Sequence, residues 1–181
     1  MNARQPYSFF SSRINFWLEV IFDAIFLVGL VSYTIIQFEF SFLEILVSFV
    51  LGTLTWTFLE YAFHNWFMHK SSFRAFRRGH AQHHVNPTGY DALPFFLPGL
   101  VFTGIVYLLQ LVIPVHIAFL VTSVVVIGFI YYGLMHYAIH HVHIDNSFLN
   151  KMKAYHELHH QKPNKYFGVT TSFWDRVFRT I

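Results

Sequence analysis

Cysteine is absent from the 181 residues. This excludes a disulfide framework and every thiolate metal site, so any bound metal is held by nitrogen or oxygen. Charge is scarce: 12% of residues are charged against 55% hydrophobic, with a mean hydropathy of +0.44. That balance lies outside the range of an ordinary soluble domain, and a membrane is the expected solvent. The N-terminus lacks the short apolar core and small-residue cleavage site of a secretory signal. Residues 1–13 are instead polar and aromatic with Arg4 and Arg13, and are expected to be retained. The net charge is +3 and the pI near 9.2, but the basic residues form no single patch on a soluble recognition fold, so nucleic acid is not an expected partner.

Long apolar runs are what the chain does have. Four are close to the roughly 20 residues that cross a bilayer as a helix: 14–36, 40–63, 93–113 and 117–139. Pro114 leaves room only for a tight turn between the last two, which predicts a helical hairpin. Glu19 and Asp23 interrupt the first run one helical turn apart and are expected to face a polar interior or the interface. Glu44 and Glu60 mark the ends of the second. Four spans place the N-terminus, the segment 64–90 and the region 140–181 on one side, with 2, 4 and 6 of the 12 Lys and Arg residues. The opposite loops hold none, so the common side is expected to be cytoplasmic.

Twelve of the 13 histidines fall on that same side, and His116, in the opposite hairpin, is expected to be interfacial. The run His156-Glu157-Leu158-His159-His160 repeats the spacing of His80-Ala81-Gln82-His83-His84. Each run spreads its imidazoles over an arc of roughly 100° on a helix. His136 and His140 are one turn apart, the arrangement that suits two imidazoles on one metal. His64 and His69, five apart, lie about 140° apart on an ideal helix, so they serve two metals or span a distorted helix end. These ten histidines exceed the roughly six ligands of an octahedral ion and argue for a dinuclear centre. His141 and His143 read as outer or surface residues.

These motifs and their flanks resemble the fatty acid hydroxylase and sterol desaturase superfamily, and within it the fatty acid 2-hydroxylase branch. The likeness runs from Phe58 to Thr180. It rests on Phe58-Leu-Glu-Tyr-Ala-Phe-His64 with His69, on Arg78-Gly-His80-Ala-Gln-His83-His84, on His136-Tyr-Ala-Ile-His140-His141, on Lys153-Ala-Tyr-His156-Glu-Leu-His159-His160, and on the ending from Phe167 to Phe178. The resemblance implies an all-α, integral membrane four-helix bundle with a cytosolic helical cap formed by residues 64–92 and 140–181, the whole chain being one domain. It implies that His64, His69, His80, His83, His84, His136, His140, His156, His159 and His160 hold two iron ions, with zinc the expected substitute in purified protein. It further implies O2 as co-substrate and hydroxylation of a lipid C–H bond on an acyl chain. Eukaryotic 2-hydroxylases often carry a fused cytochrome b5 domain. With no room for one before Ile14, a separate donor is expected, cytochrome b5-like or a ferredoxin with its reductase, and the bacterial inner membrane is the expected location.

Other members of the superfamily desaturate sterols, hydroxylate carotenoids or cleave ether lipids, and these remain alternatives. A metal transporter is disfavoured because its ligands belong near the midplane of the spans. Carboxylates that orient the imidazoles through their second nitrogen are expected beside the metals, with Glu60, Asp91, Asp145 and Glu157 as candidates. Ser172-Phe-Trp-Asp175 has capping-box spacing and predicts the start of a terminal helix.

Overall fold

The computed structural model describes residues 12–90, 92–143 and 145–181. Arg4 with the rest of residues 1–11, and the candidate Asp91, lie outside the described residues. Every element among the described residues is helical: α1 Arg13–Gln37, α2 Phe42–Ala62 continuing as a π-helical stretch Phe63–Lys70, α3 Arg74–Val85, α4 Leu97–Leu109, α5 Val115–His141, α6 Ser147–Gln161 and α7 Phe173–Val177. Among the described residues, three helical stretches are long and apolar enough to cross a membrane, Arg13–Gln37, Phe42–Lys70 and Val115–His141.

Two span boundaries differ from those read in the sequence. The second helix does not stop at residue 63 but runs on to Lys70 with a change of helical type. The third helix is shorter than the 93–113 expected, because Pro94 and Pro98 withhold amide donors at its start and the chain turns at 110–113. Its 13 residues span about 20 Å, against a hydrocarbon core of about 30 Å. Residues 93–95 are instead held by α1. The Asn15 side chain donates to the Leu93 carbonyl at 2.7 Å and accepts from the Phe95 amide at 3.2 Å, while Glu19 accepts from the Leu93 amide at 3.2 Å. Glu19 is thus a buried acceptor for main chain, and Asp23 is likewise buried.

The helix starts are locally encoded. The Ser12 hydroxyl accepts from the Asn15 amide, and Asn146 accepts from the amides of Phe148 and Leu149. Ser41 and Glu44 form a reciprocal capping box at the start of α2. Glu44 also lies 3.1 Å from His116, the histidine set apart from the others in the sequence.

The chain divides into two compact units, residues 1–56 with 92–130 and residues 57–91 with 131–181. In the first, α1 packs on α4, and Phe102, Val125 and Val126 form a core flanked by Phe26, Leu30 and Trp56. Gly128 is needed there, since a Cβ would meet the Trp56 ring at 2.2 Å. In the second, α3 packs against the π-helical stretch, and all ten candidate ligands belong to this unit.

Candidate metal centre

The histidines of the second unit separate into two groups. Ring nitrogens of His64, His69, His80 and His159 lie within 4.8 Å of one another, and so do those of His83, His136, His140 and His156. His84 joins the first group, with its Nε2 3.0 Å from His80 Nε2 and 3.1 Å from His159 Nε2. His160 joins the second, 3.0 Å from His156 Nε2. Each group therefore gathers five imidazoles.

Local geometry explains the sorting. In the π-helix, i→i+5 bonding brings residues five apart onto one side, so His64 and His69 meet in one group. Of the two alternatives their spacing allows, the distorted helix end is the one realised. On α3, His80 and His84 turn to the first group and His83 to the second. On α6, His156 and His160 turn to the second and His159 to the first. Each His-x-x-His-His run thus serves both groups: positions i and i+4 face one, and i+3 faces the other.

Hydrogen bonding alone does not account for this packing. A neutral imidazole nitrogen is either one donor or one acceptor, yet His80 Nε2 lies 3.0 Å from the Nε2 atoms of His64, His69 and His84. The outer nitrogens fix two tautomers. His64 Nδ1 donates to the Phe167 carbonyl at 2.5 Å and His159 Nδ1 to the Lys165 carbonyl at 2.7 Å, because a carbonyl only accepts. Both Nε2 atoms therefore present bare lone pairs inward. Separations of 3.0–3.1 Å recur through the second group as well, from His136 to His83 and His156. Two nitrogens at right angles around an ion at about 2.1 Å lie about 3.0 Å apart, so the donor set fits a transition metal in each group.

Burial favours the neutral, ligating form. It holds His80 and His156 well below the usual imidazole range, lowers His160, and brings His159 down to about 3 against the opposing pull of the Lys165 carbonyl. His159, His64 and His156 are at most 1% exposed.

Of the carboxylates expected beside the imidazoles, the three that are described, Glu60, Asp145 and Glu157, sit elsewhere. Glu60 is buried, but its oxygens accept from the amides of Val169 and Thr170 and from the Thr170 hydroxyl. Glu157 is exposed and bonds Gln161, and Asp145 is exposed. A main-chain carbonyl meets the requirement at His64 and at His159 without a side-chain charge. His141 stacks on Tyr137 and Tyr90, with ring centroids 4.5 and 5.0 Å apart, and His143 is exposed.

α7 starts where the capping-box spacing put it, but Ser172 makes no side-chain cap hydrogen bond. Asp175 is fully buried and accepts from the amides of Phe167 and Gly168, at 2.9 and 2.8 Å. Lys165 and Phe167 act on the histidines through their backbone carbonyls, so their contribution leaves no signal in residue type.

Comparison with known proteins bears on the family and the fold. The family model described as fatty acid hydroxylase matches residues 49–180. The ceramide very long chain fatty acid hydroxylase scs7 of Schizosaccharomyces pombe is 33% identical over 148 residues, covering 73% of this chain and 41% of that protein. Human fatty acid 2-hydroxylase is 31% identical over 144 residues, covering 74% of this chain and 39% of the human protein. The dihydroceramide fatty acyl 2-hydroxylase FAH2 of Arabidopsis thaliana is 31% identical over 152 residues, 78% of this chain and 62% of the plant protein. The chain thus spans about two fifths of the fungal and human relatives. These relatives are eukaryotic and lend no support to the expected bacterial location. The solved structure described as full length scs7p, only hydroxylase domain visible, superposes with a TM-score of 0.80 at 24% identity, covering 97% of this chain and 69% of that one, and shares its fold.

Proposed function

The chain belongs to the fatty acid hydroxylase family, and from that membership we propose that it is a membrane di-iron oxygenase that places a hydroxyl on C2 of a fatty acid or fatty-acyl lipid. The balance is one acyl CH2, O2, two electrons and two protons in, and one CHOH and water out. The observation that carries the reading is the pair of five-imidazole groups with 3.0–3.1 Å between neighbouring nitrogens. Names of the relatives supply the acyl substrate, with sterol desaturation or carotenoid hydroxylation as the alternative within the superfamily.

Two bound irons would supply the redox chemistry with O2 that hydroxylation of an acyl C–H bond requires, and zinc is the expected substitute in purified protein. The protein's part is to hold and orient. His64, His69, His80, His84 and His159 bind one ion, and His83, His136, His140, His156 and His160 the other. The carbonyls of Phe167 and Lys165 keep His64 and His159 in the ligating tautomer. Six of the ten rings, those of His64, His80, His83, His136, His156 and His159, are buried from solvent. The two electrons come from a cytochrome b5-like protein or a ferredoxin with its reductase. Residues 1–181 act as one membrane-embedded domain of four spans, with α4 as the short fourth and the histidine-bearing cap on the cytoplasmic face, in keeping with the distribution of Lys and Arg.

Expression in a host whose own 2-hydroxylase is deleted, followed by mass spectrometry of hydrolysed acyl chains, tests this. Gain of one oxygen at C2 that disappears with His159→Ala supports the reading. Folded, iron-loaded protein supplied with electrons that yields no oxygenated lipid overturns it.

A further inference from the structure

The buried Asp175 carboxylate accepts four hydrogen bonds, none of them from a histidine. Oδ1 accepts from the Phe167 amide and from the Thr180 hydroxyl at 2.7 Å; Oδ2 accepts from the Gly168 amide and from the Tyr155 hydroxyl at 3.0 Å. Phe167 offers its own carbonyl to His64 Nδ1, and Tyr155 immediately precedes His156 on α6. One buried carboxylate is therefore a single step from a histidine of each group.

The strap it holds has no freedom to do otherwise. Gly168 admits no side chain, since a Cβ would lie 1.9 Å from the Thr171 carbonyl oxygen. Tyr166 adopts a left-handed φ of 59°, rarely taken by an aromatic residue, between the two residues whose carbonyls face His159 and His64. Glu60 fastens the other end of the strap through Val169 and Thr170. A second path closes the circuit: Thr180, bonded to Asp175, contacts the Tyr61 hydroxyl at 3.3 Å, which accepts from Asn65 at 2.9 Å, the neighbour of His64.

We infer that Asp175, with Glu60 as the second anchor, is the positioning residue of the dinuclear centre: it fixes the 165–170 strap, and through the strap's carbonyls the tautomer and aim of His64 and His159. This rests on the metal-binding reading above. It differs from the usual arrangement in which a carboxylate orients an imidazole by contact.

The test uses the 181-residue chain in detergent, loaded with cobalt(II), comparing wild type with Asp175→Asn and Asp175→Glu. Asparagine keeps the size of the side chain but puts a donor where four donors already point. Three quantities are read: metal per chain, the rate of metal loss to a chelator, and the cobalt ligand-field spectrum. If wild type binds fewer than two ions, the metal reading itself fails. With two ions in wild type, Asp175→Asn is expected to lose metal roughly 10- to 100-fold faster with a shifted spectrum, and Asp175→Glu to recover part of both. A folded Asp175→Asn protein with wild-type retention and spectrum overturns the inference. Should that variant fail to fold, Tyr155→Phe decides: it removes one hydroxyl from the carboxylate, and unchanged retention and spectrum there overturn the inference equally.

Discussion

His84 and His160 face each other with ring centroids 4.5 Å apart, nearer than the other ring contacts that join opposite groups, which run from 5.7 to 6.4 Å. Each is half-buried and each is the fifth imidazole of its own group. Single substitution to alanine leaves four histidines in the affected group, so His84→Ala and His160→Ala are expected to load metal but lose it to a chelator roughly tenfold faster or more. Because the rings touch, the double variant should depart from the product of the two single effects. Multiplicative rates in the double variant would show that the groups are independent at this point.

Gly168 and Gly133 form a matched pair of tests. A Cβ at Gly168 collides with the Thr171 carbonyl, whereas nothing lies within 4 Å of one at Gly133 in α5. Gly168→Ala should lower stability by about 1–3 kcal/mol through a forced backbone shift, and Gly133→Ala should be neutral or raise it by up to about 1 kcal/mol. Thermal unfolding in detergent distinguishes them. Equal melting temperatures for the two variants would contradict the tight strap.

Acid should destabilise the metal-stripped protein over a defined window. Burial holds His159 at about 3 and keeps His80, His156 and His160 below the ordinary value near 6.5. Between those limits the unfolded chain binds more protons than the folded one, so stability present above pH 6.5 is lost as pH falls toward 3. The melting temperature is expected to fall between pH 7 and pH 4, less steeply in His159→Gln. A flat profile in the stripped wild type would contradict the burial of these rings.

His141 is expected to be dispensable for the chemistry. It follows His140 directly but stacks on Tyr137 and Tyr90, so His141→Ala should keep two metals per chain and lose about 0.5–1.5 kcal/mol of packing. Loss of a metal ion from this variant, read by metal analysis, would place it among the ligands.

Much of this was legible in the sequence, for physical reasons that differ by element. Hydropathy exposed α1, α2 and α5 because a bilayer demands long apolar helices regardless of partners. The histidine runs stood out because helical spacing constrains ligands locally. Their division did not: whether His83 or His80 faces a given group depends on where α3 lies against the π-helical stretch. α4 was over-extended because apolar character persists through Leu93–Phe95, whose backbone is bound by Asn15 and Glu19, 74–80 residues away in sequence. Asp175 was read as a local cap because its spacing from Ser172 fits one, while its true partners are the Phe167 and Gly168 amides, the Tyr155 hydroxyl and the Thr180 hydroxyl.

The central claim, that the two histidine groups carry an O2-dependent acyl hydroxylation, is tested most directly with isotope. Purified, iron-loaded protein is given an acyl lipid, a reductase system and 18O2, and the hydrolysed acids are analysed by mass spectrometry. A 2-hydroxy acid bearing one 18O, formed by wild type and absent with His159→Ala, is the predicted result. Hydroxyl oxygen derived from water, or equal product from His159→Ala, would contradict it.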